Sequence, residues 1–416
     1  MGSKSIVELC TRICSGGTPK SSIAEYYEGG AIPWLNTREI NFNRITRTEG
    51  FITEAGLAAS SAKWIKPNAV IVAMYGATAG KCAIAKVPLT TNQACCNLEI
   101  NDSIADHRYI YYWLMAHYSQ VAGLANGGAQ QNLNARQIRE LRIDLPELSY
   151  QKKVSDLVSA LDDAIDLNQR ANDYLSELAQ VLFIGWFEEH AGEREIASLT
   201  DGGEYCTLDK LCSRITDGAH KSPKADPDGV YPMLSVKDMR RYGFSYSSCK
   251  RISKADYDGM LANDCVPRVD DILVAKDGSY LKEIFITDEQ REEAILSSIA
   301  IFRPDTRRIA PEVLLQYLKH PRVLKLVSDN FVSGSALPRI VLKDFKKLML
   351  FVPERGVQEG ILPALRSIRK LIRVNEEESA RLSSLRDLLL PKLISGEIDV
   401  SEVELPMQSN NHLSVG

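Results

Sequence analysis

The sequence contains no apolar run long enough to span a membrane and no secretory hydrophobic region at its start. Ile6 stands where an N-myristoylation pattern needs Ser or Thr, so a cytoplasmic protein without membrane attachment is expected. Neither sign of charge dominates. Lys and Arg number 50 against 54 Asp and Glu, a net charge of −4, which argues against a polybasic nonspecific nucleic-acid binder but not against a locally basic cleft. The nine cysteines lack zinc-ligand spacing: Cys10 and Cys14 are separated by three residues, Cys95 and Cys96 are adjacent, and Cys82, Cys206, Cys212, Cys249 and Cys265 stand alone. An odd total fits poorly with a disulfide scaffold, so free buried thiols in a reducing compartment are expected. The six histidines are scattered, and the spacing of ten between His107 and His117 does not place them on one metal-binding face.

Catalytic motifs are also missing. Gly76-Ala77-Thr78-Ala79-Gly80-Lys81-Cys82 resembles a phosphate loop but is one residue short between its glycines and ends in Cys where a hydroxyl must reach the metal. Asp270-Asp271 with Lys276 suggests a metal-dependent nuclease, yet Val274 occupies the place of the second carboxylate. Ser333-Gly334-Ser335 lacks the flanks of a nucleophile elbow. There is no Gly-rich dinucleotide turn, and no Pro-Pro-aromatic loop of the kind amino-methyltransferases use to hold a flipped base. In a chain this long, these absences point to a recognition subunit whose chemistry lies in a partner. No metal site and no cofactor in the chain itself are expected.

What is present is repetition. The segment from Gly127 to Phe187 matches that from Gly334 to Ile394 without a gap at a fixed offset of 207, pairing Pro146 with Pro353, Gln151 with Gln358 and Asn168 with Asn375. Each copy ends in a heptad pattern. Val154, Leu157, Leu161, Ala164, Asn168, Ala171, Leu175, Leu178 and Leu182 step by threes and fours. Ile361, Ala364, Ile368, Leu371, Asn375, Leu382, Leu385 and Leu389 repeat the seam, with Glu378 its one charged position. An Asn at a seam position costs stability but fixes register, so Asn168 and Asn375 are expected to lie near one another where two antiparallel helices pair.

The regions ahead of the helices correspond more loosely. Leu9-Cys10-Thr11-Arg12-Ile13 echoes Leu211-Cys212-Ser213-Arg214-Ile215, Gly16 falls opposite Gly218, and Ile32-Pro33-Trp34-Leu35 echoes Tyr231-Pro232-Met233-Leu234. Val70 to Ala73 followed by Gly76 echoes Ile272 to Ala275 followed by Gly278. The β-branched runs bounded by Pro, Gly and Asp read as short buried strands, and Tyr109 to His117 and Val313 to His320 as one helix each. Without a regular strand-helix-strand rhythm, the fold class is α+β: two α/β domains separated by two long antiparallel helices forming a coiled coil, with an internal pseudo-twofold repeat. The expected boundaries are 1–148 for the first domain, 149–190 for the first helix, 191–355 for the second domain, 356–396 for the second helix and 397–416 for a tail.

Several runs resemble a known family, the specificity subunit of type I restriction-modification systems. Gln130-Gln131-Asn132-Leu133, then Leu141 to Pro146, Gln151, and Leu161-Asp162-Asp163-Ala164-Ile165 are similar to that family's first conserved region, continued by Ala179-Gln180-Val181-Leu182-Phe183 and Trp186-Phe187. Leu385 to Leu393 and Ser395-Gly396-Glu397-Ile398 look like its second, and Gly16-Gly17-Thr18-Pro19-Lys20 resembles the opening of its target-recognition domains. One departure is visible: Leu337-Pro338-Arg339-Ile340 replaces the Gln-rich run in the second copy.

The resemblance implies a noncatalytic subunit in which each target-recognition domain reads one half of a bipartite DNA site. The helices set the spacing and dock two methyltransferase subunits. In such systems S-adenosylmethionine belongs to the methyltransferase subunit, and ATP and Mg to a restriction subunit that joins for cleavage. Phosphates are met by Lys and Arg, base edges by Asn, Gln and Arg. On that logic the expected DNA-binding residues are Lys20, Asn36, Thr37, Arg38, Tyr75, Thr78 and Lys81 in the first domain, and Lys221, Ser235, Lys237, Lys276, Ser279 and Tyr280 in the second. Tyr174, Phe183, Trp186 and Phe187 crowd the end of the first helix and are expected to bind a partner or to cap the second domain. The residues alone also permit a coiled-coil scaffold whose two domains bind proteins and show no preference for any DNA sequence.

Overall fold

In a computed structural model, residues 2–125, 132–199, 205–277, 281–333, 339–401 and 403 are described. Two compact units emerge, one formed by Met1–Ile165 with Arg381–Gly416 and the other by Asp166–Ala380. The first long helix, Leu148–Ala191, and the second, Leu362–Ser395, each run through both units. Between Ser149 and Ile184 the first helix meets neither Pro nor Gly, so nothing interrupts its hydrogen-bond ladder. The second carries Pro363 in its first turn, where a missing backbone donor costs nothing, and continues past Pro391 to end at Gly396 with φ of +76°.

In the first unit a five-stranded sheet runs in the order Cys10–Ser15, Cys95–Ile100, Val70–Ala73, Cys82–Ala85, Asn43–Ile45. A second sheet places Ile32–Leu35 between Gly50–Ile52 and Thr90–Thr91. The second unit repeats four strands of the first sheet, as Cys212–Asp217, Ile299–Pro304, Ile272–Ala275, Ile284–Ile286, and all three of the second, as Tyr231–Leu234 between Lys250–Ile252 and Ala294–Ile295. Helices His107–Ala116 and Pro311–Lys319 occupy corresponding places. The paired glycines have a steric cause. A Cβ on Gly16 would stand 2.1 Å from the Thr91 carbonyl oxygen and one on Gly218 2.2 Å from that of Ile295, so only glycine permits the crossing.

The paired glutamines are the same device used twice. Gln151 accepts from the Asp106 N–H at 3.0 Å and donates to the Pro146 carbonyl at 2.9 Å. Gln358 accepts from the Ala310 N–H and donates to the Pro353 carbonyl, both at 3.0 Å. Gln151 lies in the first turn of its long helix and Gln358 at the end of the short helix Arg355–Gln358 just ahead of the second, and each buried amide ties that segment to backbone groups at the start of the domain helix and at the proline ahead of it. Gln358→Leu leaves those groups unpaired, so the midpoint of urea unfolding should fall by the equivalent of about 2–3 kcal/mol. An unchanged midpoint would mean the amide carries no stability.

The long helices pair antiparallel within each unit. In the first, Tyr150 Oη donates to the Leu393 carbonyl at 3.3 Å and Arg386 Nη1 to Asp162 Oδ1 at 2.9 Å. In the second, Asn168 Nδ2 donates to Glu378 at 2.9 Å, Asn172 Nδ2 to Glu376 at 2.8 Å and Asn375 Nδ2 to Asn172 Oδ1 at 2.8 Å. The register is therefore one turn away from a direct Asn168–Asn375 bond, and Asn172 is the fully buried amide. The apolar seam read from the heptads also shifts. Leu178, Leu182, Leu371 and Leu385 are exposed, whereas Ser155, Val158, Asp162, Asn172, Ala179 and Phe183 are buried. A helix of 3.6 residues per turn drifts against a 3.5 repeat, and each end packs on its own domain as well as on its partner helix.

Of the aromatics expected to bind a partner, Phe183, Trp186 and Phe187 lie in the core of the second unit, with Phe183 edge-on to Tyr317 at 4.8 Å. Only Tyr174, 71% exposed, remains on the surface. The expectation of a partner surface there is corrected: those three rings cap the domain, because a cluster of large apolar rings gains most where it is fully dried. The surface seam of the first helix is instead Leu167, Tyr174, Leu178 and Val181. Leu371 and Val374 in one unit and Leu385 and Leu388 in the other are the exposed apolar positions of the second helix. Among the described residues no helix is long and apolar enough to cross a membrane.

Candidate nucleic-acid interface

In the first unit the strand Ile32–Leu35 runs into a single 3-10 turn, Thr37–Glu39, closed by a reciprocal cap. Asn36 Oδ1 accepts from the Arg38 N–H at 3.3 Å, and the Asn36 N–H donates to Glu39 Oε1 at 2.9 Å. The Asn36 oxygen is thereby committed, and its amide retains donors but not the free pair needed for bidentate adenine contact. Arg38 is exposed, and its ion pair with Glu49 at 3.2 Å is one that solvent weakens and a phosphate can replace.

This turn packs beside a second one, Gly76–Thr78, which follows the strand Val70–Ala73. Gly76 and Gly80 hold φ of +74° and +83°, the left-handed backbone that lets the loop double back. Tyr75 is exposed and pairs through its backbone with Asn132. Lys81 Nζ donates to Asn41 Oδ1 at 2.7 Å, close behind the first turn. Asn36, Thr37, Arg38, Tyr75, Thr78 and Lys81 thus come from two adjoining turns, each aimed by a buried strand. Lys20 is exposed in the segment after Gly16-Gly17, which is held against the neighbouring strand by Trp34 Nε1 donating to the Gly17 carbonyl at 2.9 Å.

The second unit rebuilds the arrangement. Ser235 donates from both N–H and Oγ to Asp238 Oδ2 at 2.9 Å, closing the turn Val236–Asp238 and exposing Lys237. Ser298 joins it to the next loop, accepting from the Val236 N–H through its hydroxyl at 3.1 Å and from the Lys276 N–H through its carbonyl at 2.9 Å. Lys221 is exposed. Lys276 is not available: it is buried and ion-paired with Asp217, so it neutralises a carboxylate inside the domain. Ser279 and Tyr280, like Gln130 and Gln131, lie outside the described residues.

Two residues at the same offset of 207, Asn132 and Arg339, are not among the expected DNA-binding residues, although both fall in the motifs compared above. Their backbones bridge to Tyr75 and Asp277, so each sits against the loop that follows its apolar strand. The exposed Arg339 brings a guanidinium where the first unit has an amide. The signal was the repeat itself, since both positions fall inside the gapless match.

The family model described as "Type I restriction modification DNA specificity domain" matches residues 2–177. The type I restriction enzyme MjaIX specificity subunit of Methanocaldococcus jannaschii is 26% identical over 412 residues, covering 94% of this chain and 92% of that one. The EcoR124I/EcoR124II specificity subunit of Escherichia coli is 25% identical over 179 residues, 39% of this chain and 44% of that one. The HindI specificity subunit of Haemophilus influenzae is 21% identical over 367 residues, 72% and 79% of the two chains. The chain thus carries a type I restriction-modification DNA specificity domain over residues 2–177 and is similar along nearly its whole length to a type I restriction enzyme specificity subunit.

Proposed function

We propose that each unit reads one half of a bipartite double-stranded DNA sequence through its paired turns, and that the two long helices set the distance between the halves. The chain itself does no chemistry. It acts in the cytoplasm with two methyltransferase subunits, which bind S-adenosylmethionine and modify adenine N6 after flipping the base, and with a restriction subunit using ATP and Mg where cleavage occurs. The observation that carries this reading is the duplication of one constellation: a capped turn after one strand, next to a loop after another, each with exposed cations. Two similar readers with different side chains suit a site whose halves differ in sequence.

The exposed apolar positions of the helices supply the docking surface. Leu167, Tyr174, Leu178 and Val181 follow heptad spacing, as do Leu371 with Val374 and Leu385 with Leu388, and such seams gain by packing against helices of another chain. Methylome sequencing of cells with and without this chain should show one split adenine-methylation motif vanish on its deletion. Survival of every motif would point instead to a protein scaffold.

A further inference from the structure

The second unit carries a cleft of about 480 Å3 between the first long helix, the helix Pro311–Lys319 and the turn between the short strands Met239–Arg240 and Gly243–Phe244. Arg241, Lys282 and Lys319 line it together with Ser176, Glu177 and Gln180 of the long helix. We infer that this cleft binds a phosphate group carried by a nucleotide or another phosphate ester.

Three cations on the wall of one concavity repel one another; Glu177, which lines the cleft, offsets one of them, and the other carboxylates nearby do not fully answer the rest. Asp173 pairs with Arg241 at 2.9 Å. Glu283 leaves one buried carboxylate oxygen without a partner, and burial pushes its pKa up, disfavouring the charge that would neutralise the lysines. Burial and the neighbouring Arg241 push the Lys319 ammonium down to about 8. Gln180 Oε1 is a further buried atom without a partner, while its amide nitrogen is held by the Gln316 carbonyl at 3.0 Å. A guanidinium and two ammonium groups match a tetrahedral oxyanion, with Ser176 as a neutral donor, and the volume is that of an ordinary small-ligand site.

The corresponding positions of the first unit differ among the described residues. Six residues after the cap residue, where the second unit has Arg241, the first has Phe42, packed edge-on to Tyr118 at 5.2 Å. Gly80 there lies close against Ala122, its absent Cβ only 3.1 Å from the Ala122 nitrogen. The corresponding loop of the second unit instead puts Leu281 at a left-handed φ of 58° just before Lys282.

Calorimetric titration of the full chain with inorganic pyrophosphate and with AMP tests it. One saturable site is expected, with affinity at least tenfold weaker in Lys319→Gln and in Lys282→Gln. The second variant changes an exposed loop side chain, so circular dichroism should show the fold intact. Displacement of AMP by excess duplex DNA would identify the natural ligand as a backbone phosphodiester, and independent binding of the two a free phosphate ester. Absence of saturable binding in the parent chain, or equal affinity in Lys282→Gln, overturns the assignment.

Discussion

Arg386→Met should destabilise the first unit by about 3–5 kcal/mol, the cost of stranding a buried charge. Arg386 Nη1 reaches Asp162 Oδ1 at 2.9 Å, and the other carboxylate oxygen accepts from the Tyr112 hydroxyl at 2.7 Å. The Asp162 and Arg386 side chains are 11% and 18% exposed, so water cannot replace the guanidinium. Next to them Arg44 pairs with Asp163 and donates to the Ser159 carbonyl at 3.3 Å, which ties the strand Asn43–Ile45 to the same stretch of helix. Asp162→Leu combined with Arg386→Met removes both charges and should recover most of the loss, since a buried pair is close to neutral against an apolar replacement. Chemical denaturation of the two variants decides it: equal destabilisation would mean the pair is not coupled. The repeat is broken at this pair. Asp162 has Arg369 at the offset of 207 and Arg386 has Ala179, and Arg369 turns to Asp288, Asp270 and Glu312 of its own unit at 2.5, 2.8 and 3.1 Å. The two helices are alike in pattern and unlike in charge, so they are not interchangeable.

Replacing Lys20, Arg38 and Lys81 together by Gln should weaken DNA binding by the assembled methyltransferase complex evenly across sequences. It should also reduce the slope of log affinity against log salt by about 3, one for each phosphate no longer neutralised. None of the three is buried, and their partners are Glu49 for Arg38 and Asn41 for Lys81, which are free to return to water. Folding stability should therefore stay within about 0.5 kcal/mol of the parent. Asn36→Ala makes the contrasting case. Losing the cap loosens the turn that presents Arg38, so the target preference of the first unit should blur while the salt slope stays. Filter binding over a salt series reads both effects. A slope unchanged in the triple variant would remove these cations from the interface.

Pro146 with Pro353 and Gln151 with Gln358 stand out in the sequence as a repeated spacing, and they recur as one hydrogen-bonded joint in both units. The glycines at 16 and 218 mark a crossing that admits no Cβ. The first long helix follows from a stretch free of Pro and Gly up to Ile184, a property local to the chain, whereas the second holds Pro363 in its first turn and runs on past Pro391. Phe183, Trp186 and Phe187 show the limit, because a run of rings reads the same whether it faces a partner or its own domain. Lys276 and Asn36 show it again. Each looks available in a loop, and each is taken, one by Asp217 and the other by its own turn.

By itself the sequence determined the two-copy plan, the strands that lead into the candidate loops and the helices that join them, because these depend on spacing and on backbone limits acting over a few residues. Tertiary structure decided which helix face is dry, which amides set the register, and which cations remain free to meet an anion. Those outcomes depend on distant partners competing for the same charge, hydrogen bond or apolar surface, and periodicity carries no record of who wins.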